Sequence, residues 1–300
     1  MHYTGTIWRP PYEASSLLLE VTAGCTHHKC KFCTLYADLP FLFKMSPIEH
    51  IEADLKEARK MISRYSANHK ITRAFLTGAN PFVLKFDRLM KIAGLVHHYF
   101  PKIKTIGSFA RVTDITLKSD HELEALRQTG YDGLTIGIET ADNEALQFMN
   151  KGYQADDILK QCRRLDQAGI QYSFFYLAGI SGAGRGEAGA EVTAALCNQL
   201  HPVMIGANML TIYENSILYQ EILQGNWKEE SETEKYREVC TLINNLEIPT
   251  IFAALGASNA FQIQGRLPAE KEKLLVFLDH VITNIGEEEL RRYRKSVYHL

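Results

Sequence analysis

The sequence predicts an α/β fold of parallel strands covered by helices. Three observations carry that expectation. Six short apolar runs recur along the chain up to Thr211, and each is followed by a helical pattern. From the second run onward they return about every 30 to 40 residues, the length of one βα unit. Six such units argue for a parallel sheet with helices on it. A six-stranded partial barrel and an open doubly wound sheet both fit this rhythm, and periodicity does not separate them.

The runs are SLLLEVT (16–22), ITRAFLTG (71–78), IKTIGSFA (103–110), GLTIGIE (133–139), IQYSFFYLAG (170–179) and PVMIGANMLT (202–211). Between the first two, SPIEHIEADLKEARKMI (46–62) reads as a helix with Ser46 as cap, Pro47 at the first helical position and Glu49 at the capping-box place. FDRLMKIAGLVHHYF (86–100), SDHELEALRQTG (119–130) and ADDILKQCRRLDQAG (155–169) follow. The last two end in Gly, a common helix stop, and His97-His98 reads as a helix end. After Thr211 the rhythm breaks. SILYQEILQGN (216–226) and SETEKYREVCTLINNL (231–246) read as helices, TIFAALGASNAF (250–261) as a strand or loop, and the rest, from Leu267, as a long closing helix or helix pair. The run RRYRK (291–295) could meet an acidic partner, but a solvated helix end explains it better.

Composition sets limits. The 300 residues suffice for a large core, and 46% of them are apolar. Charges nearly cancel, 33 Lys+Arg against 35 Asp+Glu, so no global field favours nucleic acid or membrane. The first residues lack the apolar core of a signal peptide, and no run reaches the roughly 18 residues of a membrane span. The expectation is a cytoplasmic protein without a membrane partner, where disulfides are rare and clustered cysteines point to metal or redox chemistry.

Three of the six cysteines fall in GCTHHKCKFC, Gly24 to Cys33, directly after the first run. Cys25, Cys30 and Cys33 have the spacing C-x4-C-x2-C. Loops at the C-terminal ends of parallel strands build active sites. Gly24 permits a tight turn, and Lys29 and Lys31 could offset thiolate charge. Three thiolates suit a soft metal centre. On a 4Fe-4S cluster they leave one iron without a protein ligand, because such clusters usually take four cysteines. The rival reading is structural zinc, with His27 or His28 as fourth ligand. Cys162, Cys197 and Cys240 stand apart on predicted helices and read as core.

The loop resembles that of the radical S-adenosylmethionine (SAM) enzymes, and GCTHHKCKFCTLY looks especially like an uncharacterised iron–sulfur oxidoreductase branch of them. The usual family spacing is C-x3-C-x2-C, so the longer first gap is a departure. The resemblance runs from RPPYEA (9–14) to GRLPAEKEKLL (265–275). It implies a partial (β/α)6 barrel over residues 1–212, with residues 213–300 as a helical extension packed on it in a single compact unit. It also implies a 4Fe-4S cluster on the three cysteines, with SAM as the second cofactor.

The resemblance assigns further residues. Phe32 matches the aromatic set against the adenine of SAM. Gly78 and Asn80 stand where the family has a Gly-Gly-Glu-like turn holding the SAM amino group; an ordinary turn is the competing reading, and Asn brings no charge. Ser108 and Arg111 would point into the mouth of the sheet, where Arg111 could grip a substrate carboxylate or simply form a surface ion pair. Glu139 would meet the SAM ribose or amino group, or else cap the next helix. Lys151 stands where relatives often have an Arg on the SAM carboxylate; a Lys gives a point charge rather than a fork, and a solvated lysine is the alternative. Gly179, with Gly182, Gly184 and Gly186, lacks the phosphate-loop pattern but would let backbone approach a flat ligand. Arg185 is a candidate for a SAM or substrate carboxylate. Leu210 and Ile212 could flank adenine, or pack the core. Asn259 is placed near the pocket.

The implied chemistry is reductive cleavage of SAM to methionine and a 5'-deoxyadenosyl radical, which abstracts hydrogen from a substrate. A low-potential donor, flavodoxin or ferredoxin, is the implied partner. The substrate is expected to be a small molecule, with tRNA or a peptide as alternatives. A zinc-stabilised binding protein and an electron carrier without SAM cleavage are the competing functions.

Overall fold

The computed structural model describes residues 1–65 and 71–296, which group into two compact units. The last four residues of the predicted closing helix lie outside the described residues. Among the described residues, no helix is long and apolar enough to cross a membrane.

The first unit comprises residues 1–28, 35–136 and 164–172. In chain order it carries β1 (Leu17–Glu20), β2 (Thr22–Gly24), β3 (Phe43–Met45), α1 (Ile48–Tyr65), β4 (Arg73–Thr77), α2 (Phe86–Tyr99), β5 (Thr105–Ala110), α3 (Val112–Ile115), α4 (Asp120–Gln128) and most of β6 (Tyr131–Glu139). Strands β1, β4, β5 and β6 pair in that order and in parallel. Most of their apolar residues are buried, Ala74, Phe75 and Leu76 completely. Strands buried on both faces read as continuous apolar runs, which is why they were legible. The first predicted run divides: Leu17–Glu20 joins the parallel strands, while Thr22–Gly24 pairs antiparallel with Phe43–Met45. Ser119 caps α4 in a capping box with Glu122.

A buried ion pair fixes the start of these strands. Glu13 is 1% exposed, and both its carboxylate oxygens accept from Arg73 at 2.7–3.0 Å. The same guanidinium donates to the Asp132 and Gly133 carbonyls and to Thr105 Oγ1.

The second unit comprises residues 29–34, 137–163 and 173–300. It carries the end of β6, then α5 (Asn143–Phe148), most of α6 (Ala155–Ala168) and of β7 (Tyr172–Ala178), then α7 (Gly186–Cys197), β8 (Met204–Met209), α8 (Ile217–Leu223), α9 (Glu232–Asn245), β9 (Thr250–Ala254), β10 (Ile263–Leu267), α10 (Lys271–Asn284) and α11 (Glu287–Lys295). Strands β7, β8 and β9 are parallel, and β10 closes antiparallel on β9. The stretch after residue 212 is therefore more than helical. Its β10 escaped the sequence reading because Gln264 and Arg266 alternate outward, leaving a half-polar edge strand.

Two expectations need correction here. RRYRK is more than a solvated end: Arg294 is 8% exposed, bonded to Ser258 O and paired with Glu232 at 3.3 Å. Cys162 and Cys197 are fully buried, but Cys240 is only partly so.

Candidate functional site

The cysteine loop begins where β2 ends. Gly24 has φ 77°, and a side chain there would meet the Leu42 carbonyl at 2.2 Å, so only glycine fits. Cys25 then donates its N–H to that same carbonyl at 2.8 Å. Gly78, at the end of β4, has φ 130°, and a Cβ there would lie 2.0 Å from Thr22 Oγ1. The hydroxyls of Thr22 and Thr77 are buried and have no partner among the described residues. They line a cavity of about 10 Å³ beside Gly78, room for one water.

Asn80 is fully buried and is more than a turn residue. Its Oδ1 accepts the Thr26 N–H at 3.3 Å, and its Nδ2 donates to Thr26 Oγ1 at 2.7 Å and to both oxygens of Asp114 at 3.1 and 3.2 Å. It thus fastens the residue after Cys25 to the residue that closes the capping box of α3. Asp114 also accepts the Arg111 N–H at 2.8 Å. Burial pushes the Asp114 carboxyl up to about 6, against the hydrogen bonds from Arg111 and Asn80 that favour its charged form. Lys118, also buried, is lowered to about 8 by burial and donates to the Phe82 carbonyl. The sequence reading missed Asp114. Its signal was the spacing R-x-x-D, an acid three residues after an N-cap.

Ser108 is buried, and its hydroxyl donates to Phe109 O. Arg111 is half-buried, with Nη1 on Thr113 Oγ1 at 3.1 Å. All of these belong to the first unit.

The second unit gathers a different group. Glu139 ends β6 with φ 66°, a left-handed conformation that a non-glycine residue adopts only under constraint. Its carboxylate accepts from Lys151 Nζ at 2.9 Å. Gly137 leaves it room, since a Cβ there would stand 2.6 Å from Glu139 Oε1. Lys151 is 5% exposed, so it is no solvated lysine. Burial opposes its charge, but the Glu139 carboxylate, with Tyr153 and Cys30 beyond it, outweighs burial and holds the ammonium pKa well above the ordinary value. The helix after β6 is capped by Asp142, whose side chain accepts from Glu144 and Ala145 N–H, so the capping alternative for Glu139 falls away.

Lys151 Nζ lies 5.7 Å from the centre of the Phe32 ring and 5.4 Å from that of Tyr153. Phe32 packs on a buried cluster of Met149, Ile180, Leu210 and Leu218, with Ile212 alongside. Phe32, Glu139, Lys151 and Leu210 are thus brought together. Gly179 (φ 92°) turns towards buried residues of α9: its N–H donates to Glu238 Oε2 at 2.7 Å, and a Cβ there would meet Lys235. Arg185 is 45% exposed and paired with Asp142 and Glu144 at 3.1 and 2.5 Å. Asn259 donates to Ala207 O at 3.1 Å, tying its loop to β8.

The three cysteines are in no disulfide, and Cys33 is exposed. Among the described residues no three His, Cys, Asp or Glu side chains stand together as a site for one metal ion. The donor set nonetheless fits an iron–sulfur cluster, which takes thiolates at separate irons rather than on one ion.

A family model described as the radical SAM superfamily matches residues 19–187, more than half of the chain. Comparison with curated proteins gives no match. Among solved structures, the chain is similar to coproporphyrinogen III oxidase (HemN) from Escherichia coli, at 15% identity and TM-score 0.54 over 76% of this chain and 51% of that one. It is similar to methylornithine synthase (PylB), at 16% and 0.52, over 78% and 64%. It is also similar to the radical SAM methyltransferase TsrM from Kitasatospora setae, at 13% and 0.52, over 89% and 52%. This chain therefore spans half to two thirds of the length of these three proteins. At such identities the likeness shows the fold, and it agrees with the expected partial barrel. The chain belongs to the radical SAM superfamily of enzymes.

Proposed function

We propose that Cys25, Cys30 and Cys33 hold a 4Fe-4S cluster, and that the enzyme binds SAM beside it to act on a small-molecule substrate. The observation that carries this reading is the grouping of Phe32, from between the second and third cysteines, with Glu139, Lys151 and Leu210 from three other segments. Cluster and SAM together supply reductive cleavage of SAM to methionine and a 5'-deoxyadenosyl radical, which abstracts hydrogen from substrate.

The chain's own residues bind, orient and exclude water. Phe32 and Leu210 offer an apolar face for adenine, with the Gly179 turn beside Ile180. Lys151, held by Glu139, brings a positive charge for the SAM carboxylate. Glu139 accepts from a ribose or ammonium group. Gly78 and Asn80 present acceptors for the amino group, with Asp114 supplying the nearby negative charge that Asn80 lacks. Ser108, Arg111 and Arg185 are left for the substrate and its anionic groups. The packed apolar cluster keeps water from the reacting atoms.

The required electron comes from a low-potential donor of the flavodoxin or ferredoxin type, in a reducing cytoplasm. We assign residues 1–212 to the core and 213–300 to an extension. A small molecule is favoured because no nucleic-acid-binding charge excess accompanies the fold; a tRNA or peptide substrate would show itself in a substrate screen.

The test is anaerobic reconstitution, dithionite reduction, addition of SAM, and chromatography for 5'-deoxyadenosine beside iron and sulfide analysis. About four irons per chain with deoxyadenosine formed is the expected result. Tightly bound zinc with no iron and no product would overturn the reading, and an intact reduced cluster that leaves SAM uncleaved would make the protein an electron carrier.

A further inference from the structure

The segment between Cys30 and Cys33 is held in part by α8, which lies beyond the residues that the family model matches. Lys31 donates its N–H to Met149 O at 3.1 Å and accepts at its own carbonyl from Leu218 N–H, at the start of α8, at 2.8 Å. Asn150 Nδ2 donates to Lys29 O at 3.2 Å. The backbone on both sides of Cys30 is thereby tied to the turn after α5 and to α8.

The Lys31 side chain completes the attachment. Its ammonium sits 4.0 Å from the centre of the Phe148 ring and 2.6 Å from Glu221 Oε1, on α8. Both partners are largely covered, at 22% and 18% side-chain exposure. Glu221 is further held by Asn226 Nδ2 at 2.8 Å. The pairing holds the Glu221 carboxyl below its ordinary range. Lys31 was expected to offset thiolate charge. Its charge is instead met by a carboxylate 190 residues away in sequence.

We propose that Glu221 is a positioning residue for the cluster: through Lys31 it clamps the Lys29–Phe32 peptide and sets the net charge beside Cys30 and Cys33, and hence the reduction potential of the cluster they hold. The inference rests on the cluster reading above. A paired Lys31 contributes little net field at the cysteines. Without the Glu221 charge, the unpaired ammonium favours the reduced, more negative cluster. Without the ammonium, the unpaired carboxylate disfavours it. The sign of the effect therefore depends on which partner is removed, whereas mere loosening of the loop moves both variants the same way.

The experiment uses full-length wild type, Glu221→Gln and Lys31→Met, each reconstituted anaerobically and titrated against dithionite with electron paramagnetic resonance as readout. Glu221→Gln should raise the one-electron potential by about 59 mV, a tenfold change in the reduction equilibrium. Lys31→Met should lower it by about as much. In the metal-free chains, hydrogen exchange at the Lys31 and Leu218 amides should quicken about tenfold in both variants. Potentials equal to wild type, or shifted in one direction by both substitutions, overturn the electrostatic role. Unchanged exchange overturns the clamp. A wild-type chain that assembles no cluster refutes the cluster reading itself and the potential-setting role with it, and the exchange measurement still decides whether Glu221 fixes the loop.

Discussion

Replacing Asp114 by Asn should change how stability depends on pH, and the sign follows from burial. In the folded chain the Asp114 carboxyl is pushed from 3.8 to about 6, chiefly by loss of water, although Arg111 N–H and Asn80 Nδ2 bond to it. A carboxyl with a raised folded pKa holds its proton over a range where the unfolded chain has already lost it. Stability therefore falls as pH rises from about 4 to about 6 and stays lower above that. At roughly 1.4 kcal/mol per tenfold, the fall is about 3 kcal/mol for this one group. Asn cannot titrate, so the variant lacks this slope. Urea unfolding of both proteins between pH 4 and 7.5, metal-free, gives the comparison. The wild type should lose about 3 kcal/mol more than Asp114→Asn across the range. A difference between the two that is independent of pH would refute the argument, because a purely geometric loss at Asn80 has no reason to follow proton uptake.

Other outcomes follow from the same contacts. Lys151→Met strips the partner from Glu139 and should destabilise the fold by about 3 kcal/mol, the low end for a broken buried pair because Glu139 keeps 14% side-chain exposure; thermal unfolding checks this, and SAM affinity should fall in parallel. Glu13→Gln should cost about 3 kcal/mol by leaving the Arg73 guanidinium without its carboxylate, with no change in iron content. Leu218→Ala opens a cavity under Phe32 and should cost about 2–5 kcal/mol in unfolding free energy. Ala at Cys25, Cys30 or Cys33 should abolish iron binding, while Ala at Cys162 should leave iron analysis unchanged.

The fold was legible where its strands are buried on both faces. Phe75, Ile106, Ile136, Phe174 and Ile205 lie in short apolar runs bounded by turn residues, and such runs have few other homes. It was less legible where polarity misleads. SETEKYREVC was expected only as a helix, yet Glu232, Lys235 and Glu238 of α9 are almost wholly buried. They can be so because α9 packs on α7, α10 and α11 and every charge finds a partner there. Lys235 meets Glu229 and Glu232, Arg294 reaches Glu232, and Glu238 accepts from Tyr176 and the Gly179 N–H. The Lys235–Glu232 pair is local, at i,i+3, but Arg294 and Tyr176 reach α9 from 62 residues away, beyond any local pattern. The buried Glu230–Glu238 pair shows the same effect, with Glu230 pushed up to about 9 by burial and by the neighbouring carboxyl.

The candidate site divides along a similar line. Cys25, Cys30, Cys33 and Glu139 announced themselves by residue type at strand ends, where chemistry gathers in parallel α/β folds. What they touch did not. Lys151 was weighed as a solvated lysine because a Gly follows it, and only tertiary packing brings it against Glu139 and Phe32. Asp114 was passed over in the sequence, yet it holds Asn80 and through it Thr26. Glu221 gave no signal in sequence, since its meaning lies wholly in Lys31. Residues that carry chemistry are constrained by type, so a sequence displays them. Residues that hold those in place are constrained by position, and a carboxylate can come from any loop or helix that reaches. That asymmetry makes Glu221 and Asp114 informative to mutate: neither is among the residues that the resemblance assigns, and each is the carboxylate end of an attachment to the cysteine loop.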